Sequence, residues 1–370
     1  MIYKKLGDFI SEIDIRNVEE KTDGILGVSV SKVFIPTIAN TIGTDFSKYK
    51  VIKRNEFAYI PDTSRRGDKI GIALLNQQEE ALVSQAYTVF KTSDDLLPEY
   101  LMLWFQRPEF DRYARYHSIG SAREVFSWDD MCNVELPIPS IEEQKEIIRK
   151  YKVITDRIKV LTEINKKLEE IATGLFNTDG EKSEYSLRDF LSLISGFAFK
   201  SEFYQKVGKY KIVTIKNVQD GFIDTTNVTF LSDYPKNMPT QCLLDIGDIL
   251  LSLTGNVGRV GVVCEKNLLL NQRVAKVRLI DENMRAFVYF LLRRPQIRSL
   301  LEGATSGTAQ QNLSPIGCLD IRFLLNNKAI ESAQMMSPIF NMIMHNNTEI
   351  QKLTELKDVL LPKLMTGYIN

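Results

Sequence analysis

The chain is poor in cysteine, poorer in histidine and without surplus charge, and each shortage narrows what it can be. Its four cysteines, Cys132, Cys242, Cys264 and Cys318, lie far apart with no CxxC pair among them. The only two histidines, His117 and His345, are also remote from one another, so no metal-binding set is expected. Reduced, buried thiols in a cytoplasmic protein are the expectation. No run of about eighteen apolar residues occurs, which argues against a membrane span. The start, MIYKKLGDFISEID, is amphipathic rather than basic and then apolar, so no signal peptide is expected. Forty-seven basic residues balance forty-seven acidic ones. The chain therefore lacks the overall basic footprint of many nucleic-acid binders, and would bind DNA only through clustered basic residues or with charge supplied by partners.

Catalytic signatures are missing too. There is no GxxxxGK[ST] and no NPPY-like tetrapeptide, and GNVGRVG falls between expected strands rather than before a helix. Glu143 and Lys145 fit ExK, but they sit at a helix start where capping explains the acid. No motif groups serine, histidine and aspartate for nucleophilic catalysis. No chemistry, metal or cofactor is expected on this chain alone.

What is present begins with length: 370 residues, 44% hydrophobic and 25% charged, enough for two or three domains with real cores. The stretch VELPIPSIEEQKEIIRKY, residues 134–151, announces a helix. Pro137 and Pro139 impose extended backbone, Ser140 stands at the N-cap, and Glu143 completes a capping box. Beyond it Ile147, Tyr151, Ile154, Ile158, Leu161, Asn165, Leu168, Ala172 and Leu175 recur at spacings of three and four, the 3.5-residue repeat of a coiled coil. Asn165 falls on that seam, where a polar residue fixes register. The other reading is a helix packed on a globular core, for which a wider apolar face is expected. A second such helix closes the chain, with Met336, Phe340, Ile343, Asn347, Ile350, Leu353, Leu356, Leu360 and Leu364 on its seam. Pro338 is expected to kink its start, and Pro362 to end or bend it near Leu361.

The chain also repeats itself. Gln85 in LVSQAYTVF matches Gln272 in LLNQRVAKV, and the same shift of 187 aligns Pro108 with Pro295, Gly120 with Gly307, Ala122 with Ala309 and Ser127 with Ser314. Each copy mixes strands and helices. VIKRNEFAYI and KIGIALL look like strands, DILLSLTGNVGRVGVV like a strand, a Gly-rich turn and a strand. LPEYLMLWFQRPEFDRYARY and AFVYFLLRRPQIRSLL look like matching helices. NTDGEKSEY, near residues 177–185, reads as the linker. The expected fold class is α+β: two similar mixed α/β domains separated by a long antiparallel two-helix coiled coil, with a pseudo-two-fold internal repeat. The boundaries read as 1–139 and 178–326 for the domains, and 140–177 and 327–370 for the helices.

LPIPSIEEQKEI after the first unit, KLTELKDVLLPKLMTGYI at the end, KLGDFISEIDIRN near the start and GSAREVFSWDDM together resemble the specificity subunits of type I restriction-modification systems, over nearly the whole chain. The resemblance implies two target-recognition domains, each reading half of a split DNA site, with the helices between them. It implies two methyltransferase subunits docked around those helices and translocating restriction subunits joining the complex. S-adenosylmethionine, ATP and Mg would be used by those partners. One departure stands out: the second copy has LLNNKAIESA where the first has LPIPSIEEQK, leaving the start of the second helix undefined.

Readers of DNA need bidentate donors on loops narrow enough to enter a groove. The first unit offers Arg65, Arg66 and Lys69 in DTSRRGDK and Arg123 in GSAR; the second offers Asn256 and Arg259 in TGNVGR, Gln272 and Arg273 in NQRV, and Gln310, Gln311 and Asn312 in GTAQQN. Because the two units should read different bases, positions unmatched across the repeat are the better candidates, so Arg65, Arg66, Arg259 and Arg273 rank above Gln272. A helix of about 35 residues spans roughly 50 Å, enough to cover one turn of B-DNA. Two other classes stay open: a coiled-coil adaptor that binds only protein, and an enzyme with an unrecognised active site.

Overall fold

The computed structural model describes residues 3–37, 43–63, 69–118, 124–177, 180–304 and 314–366. It divides into two compact units, Met1–Asp156 with Leu356–Asn370, and Arg157–Glu355. Strands β1 (Tyr3–Lys5), β2 (Ile10–Ile13), β3 (Ile25–Val28), β4 (Phe34–Pro36), β5 (Lys50–Lys53), β6 (Phe57–Tyr59), β7 (Ile72–Leu74), β8 (Glu80–Val83) and β9 (Thr88–Thr92) open the first unit. Helices α1 (Pro98–Phe105), α2 (Pro108–His117) and α3 (Trp128–Cys132) follow, then β10 (Glu135–Pro137) and the long α4 (Ile141–Gly174).

The second unit runs through β11 (Lys182–Ser186), β12 (Leu191–Ser195), β13 (Tyr210–Val213), β14 (Gly221–Phe222), β15 (Thr229–Leu231), β16 (Leu243–Leu244), β17 (Ile249–Ser252), β18 (Val260–Val262), β19 (Leu268–Leu270) and β20 (Val274–Leu279). It continues through α5 (Arg285–Arg293), α6 (Pro295–Gly303), α7 (Pro315–Leu319), β21 (Arg322–Asn326), α8 (Asn327–Glu331) and the long α9 (Ala333–Thr366).

The repeat seen in the sequence is a repeat of topology. A sheet in the order β2-β9-β6-β7 has its counterpart in β12-β20-β17-β18, to which β14 is added; β4-β3-β8-β5 has its counterpart in β15-β13-β19-β16. In the second sheet of each copy the inner pair, β3 with β8 and β13 with β19, is parallel. Short pairs β1–β10 and β11–β21 close the two copies.

Period-two alternation explains the layering. In the first unit Phe57, Tyr59, Ile72, Leu74 and Phe90 face a core shared with α1 and α2, while the intervening Ala58, Ala73 and Val89 face a second core with Val28, Ile52 and Val83. In this unit the larger side chains meet helices and the smaller ones meet a sheet. The second unit repeats the alternation, with Ile249, Leu251, Ala275 and Val277 toward the helices and Leu250 and Val274 on the other face.

Two expectations need correcting. The segments 97–116 and 286–301 are each a helix pair, not one helix, because Pro108 and Pro295 stand at the first position of α2 and α6. Proline drives its predecessor out of the helical region, and Arg107 and Arg294 are accordingly extended, with ψ of 138° and 136°. Of the two effects expected of Pro362, an end near Leu361 is not seen, because the last helix runs through Pro338 and Pro362 to Thr366.

One matched position reverses its charge. In the first unit Asp111 of α2 pairs at 2.8 Å with buried Lys32, from the β3–β4 turn. In the second, Arg298, which aligns with Asp111 at the repeat shift, pairs at 3.0 Å with Asp220 from the connection between β13 and β14. The loop-to-helix tie is kept while its polarity is inverted.

The start of α4 is anchored by side chains. Ser140 and Glu143 form the reciprocal cap, Ser140 N–H donating to Glu143 Oε2 at 3.0 Å. Those bonds hold the Glu143 carboxyl below its ordinary pKa, so its place in ExK is a cap. Gln144, 0% exposed, accepts the Leu97 amide at 2.8 Å and donates to the Asp95 and Pro139 carbonyls, both at 2.9 Å. The second copy has no such glutamine: α9 is preceded by the single-turn α8, whose cap is the Asn326 side chain accepting from Lys328 N–H at 2.9 Å.

Candidate nucleic-acid interface

Each unit holds a stretch of both long helices. In the first, Ile147 and Tyr151 of α4 share a core with Leu361, Leu364 and Met365 of α9. In the second, Leu168 and Ala172 pack with Phe340 and Ile343. Between these apolar contacts of the second unit and its edge lies a polar layer. Asn165 Nδ2 donates to Asn347 Oδ1 and its Oδ1 accepts from Asn346 Nδ2, both at 2.8 Å. Arg157 grips Glu349 with two bonds, at 2.7 and 3.2 Å. Of the remaining seam positions, Ile154 and Leu161 are buried, Ile158, Ile350 and Leu353 are half-buried, and Leu356 turns outward at 49% exposure.

The DNA-reading candidates fall on equivalent connections of the two copies. Arg65 and Arg66 belong to the β6–β7 connection, Asn256 and Arg259 to β17–β18. Arg65, Arg66, Arg123, Gln310, Gln311 and Asn312 lie outside the described residues, whereas Lys69 is described and exposed.

In the second unit the geometry is explicit. The β17–β18 turn rises on Gly255 and Gly258, whose φ values of 72° and 80° favour glycine. Fully buried Ser252 closes it, donating through Oγ to the Asn256 carbonyl and accepting the Arg259 amide at 3.0 Å. Leu253 and Val257 pin the turn into the core, leaving Asn256 exposed and Arg259 half-buried. A second turn, carrying exposed Gln272 and Arg273, lies alongside, because Leu253 N–H donates to the Arg273 carbonyl at 3.1 Å. Arg273 holds φ at 75°, a conformation that costs a side-chain-bearing residue about 1–2 kcal/mol. So Asn256 and Arg259 come from one turn, and Gln272 and Arg273 from a second that adjoins it. Gln85, the match of Gln272, is also exposed on the corresponding turn of the first unit.

Sequence reasoning missed Gln219. Its Oε1 accepts from Arg259 Nη1 at 2.9 Å, and its own Nε2 donates to the Lys216 carbonyl at 2.8 Å. The spacing of forty residues between Gln219 and Arg259 gave no hint of the contact. Arg259 Nε is buried without a partner among the described residues. No group of histidine, cysteine, aspartate and glutamate among the described residues could hold a metal, and no described helix is long and apolar enough to cross a membrane.

The chain matches the family described as type I restriction modification DNA specificity domain twice, over residues 27–170 and 180–316. It is 22% identical to the type I restriction enzyme MjaVIII specificity subunit of Methanocaldococcus jannaschii, across 99% of this chain and 92% of that protein. It is also 22% identical to the HindI specificity subunit of Haemophilus influenzae, across 86% and 88%. The crystal structure of a type I restriction-modification S subunit from M. genitalium shares the fold, with a TM-score of 0.58 at 16% identity over 98% of this chain and 96% of that one. Duplicated mixed α/β units with paired long helices, matched twice by that family, define a DNA-specificity class. The chain belongs to the type I restriction-modification specificity family: it is a non-catalytic specificity subunit whose partners are DNA and the other subunits of its complex.

Proposed function

We propose that this subunit reads an asymmetric, split DNA sequence, one half with each unit, and that the paired helices set the distance between the halves. The observation that carries this is the pairing of one topology with two donor sets. The same strand connection offers Arg65 and Arg66 in one copy and Asn256 and Arg259 in the other. A shared topology with different donors on the same connection is what reading two different half-sites requires. Lys69, Arg123, Gln272, Arg273, Gln310, Gln311 and Asn312 complete the proposed DNA-contacting set. Residues 1–139 and 178–326 are the proposed recognition domains, with the helical segments 140–177 and 327–370.

The helices also offer a docking face. On α4, Val153, Val160, Ile164 and Ile171 are 63, 50, 38 and 57% exposed. Their spacings of seven, four and seven put them on one stripe, roughly a quarter turn from the seam. Met335 and Met342 form a shorter exposed stripe on α9. Solvated helices rarely keep so regular an apolar line without a partner. Two methyltransferase subunits are the proposed occupants, with the restriction subunits joining that assembly in the cytoplasm.

Single-molecule sequencing of methylated adenines in a host carrying the intact system tests the reading. A motif of two dissimilar half-sites flanking a fixed unread spacer is expected. A single uninterrupted motif, or methylation without sequence preference, would refute it and favour the adaptor.

A further inference from the structure

Arg259 is held more firmly than a surface arginine needs to be, and the hold leads back to the long helices. Gln219 accepts from its Nη1, and the turn that carries Gln219 is itself fixed at three points. Gln219 N–H donates to the Phe222 carbonyl at 3.0 Å, closing the turn. Next to it, Asp220 pairs with Arg298 of α6 at 3.0 Å. The Gly221 carbonyl then accepts from both Tyr289 Oη of α5, at 3.3 Å, and Asn347 Nδ2 of α9, at 3.1 Å.

Any side chain at Gly221 would be strained. The φ of Gly221 is 99°, and a Cβ there would come within 3.2 Å of Glu169 Oε1 and 3.3 Å of Arg293 Nη1. Those two side chains pair at 2.5 Å, and Arg293 also donates to the carbonyl of Val260, the residue after Arg259. Both sides of the reader are therefore braced: Gln219 from the side chain, and the Glu169–Arg293 pair from the backbone.

A free arginine side chain carries about 2 kcal/mol of rotamer entropy that must be lost before its fork can engage a base. Fixing one nitrogen in advance removes part of that loss and aims the remaining donors. We propose that Gln219 is a positioning residue for Arg259: it pre-sets the guanidinium for one base pair of the second half-site without touching DNA itself. The proposal rests on the reading of Arg259 as a base contact.

The test uses the full chain co-purified with its methyltransferase subunits. The substrates are duplexes carrying the methylated motif of the wild type, or single-base substitutions of it. The readout is the ratio of methylation rates on correct and substituted duplexes, position by position. Gln219→Ala is expected to lower discrimination about tenfold at a single base pair of one half-site, leaving the other half unchanged. Arg259→Ala should lower it at the same base pair, and the double variant should lose no more than Arg259→Ala alone.

Failures are distinguishable. If Arg259→Ala discriminates like wild type, the assignment of Arg259 as a reader falls, and this proposal with it. If Arg259→Ala loses discrimination but Gln219→Ala does not, the reader stands and the positioning role is overturned. Additive losses in the double variant, or equal losses at both half-sites, would also overturn it, since they mark an independent or merely structural role.

Discussion

Replacing Gln144 with alanine should unfasten the first unit from its helix. The side chain is fully buried and satisfies the Leu97 amide and the Asp95 and Pro139 carbonyls. Three neutral hydrogen bonds at about 1 kcal/mol each give a loss of about 3 kcal/mol, and the three orphaned backbone groups push the figure upward. The readout is built into the chain, because its two tryptophans, Trp104 and Trp128, both belong to the first unit. Tryptophan fluorescence during urea unfolding therefore follows that unit alone. With a slope of about 2 kcal/mol per molar urea, the midpoint should fall by about 1.5 M. Gln144→Glu keeps the acceptor for Leu97 but loses both donations and buries a charge, so it should be at least as damaging. A change below about 0.5 kcal/mol in Gln144→Ala would show that the glutamine is a passenger in its motif.

Other consequences are simpler. Asn165→Ala removes the partner of Asn346, which is only 6% exposed, and one partner of Asn347. A loss of about 1–3 kcal/mol is expected, seen as faster hydrogen exchange across residues 340–350; unchanged exchange would refute the polar layer's role. Gly221→Ala meets both a strained φ and the Glu169–Arg293 pair, and should cost about 2 kcal/mol in thermal unfolding of the second unit, where a neutral result would contradict the packing. Burial raises the Cys264 thiol to about 11 and the Cys318 thiol to about 12. In the native protein a thiol reagent should reach Cys132 first, and Cys242, Cys264 and Cys318 only on unfolding; early labelling of Cys318 would contradict its burial.

The sequence was most legible where local chemistry and global position agree. The Ser140–Glu143 cap, the seam residues Ile147, Tyr151, Phe340 and Ile343, and the Gly-rich β17–β18 turn all stand where their pattern places them. The repeat was legible because matched serines at 127 and 314 cap equivalent short helices. It failed where one residue competes with a longer pattern. Pro108 and Pro295 broke helices that looked continuous, while Pro362 sits inside one because neighbouring packing at Leu361, Leu364 and Met365 outweighs a lost backbone bond. The candidate site was half legible. Asn256, Arg259 and Arg273 could be named from their turns, but Gln219 and the Asn347–Gly221 bond arise from tertiary contact over 40 and 126 residues, beyond the reach of any local pattern.

The proposed spacing role of the paired helices is tested most directly by changing their length. Four residues inserted after Asp156 in α4 and four after Glu355 in α9 would lengthen each helix by about 6 Å, close to the rise of two base pairs. The methylome of that variant should show a longer unread spacer between two unchanged half-sites. Altered half-site bases, or an unchanged spacer with methylation intact, would contradict it.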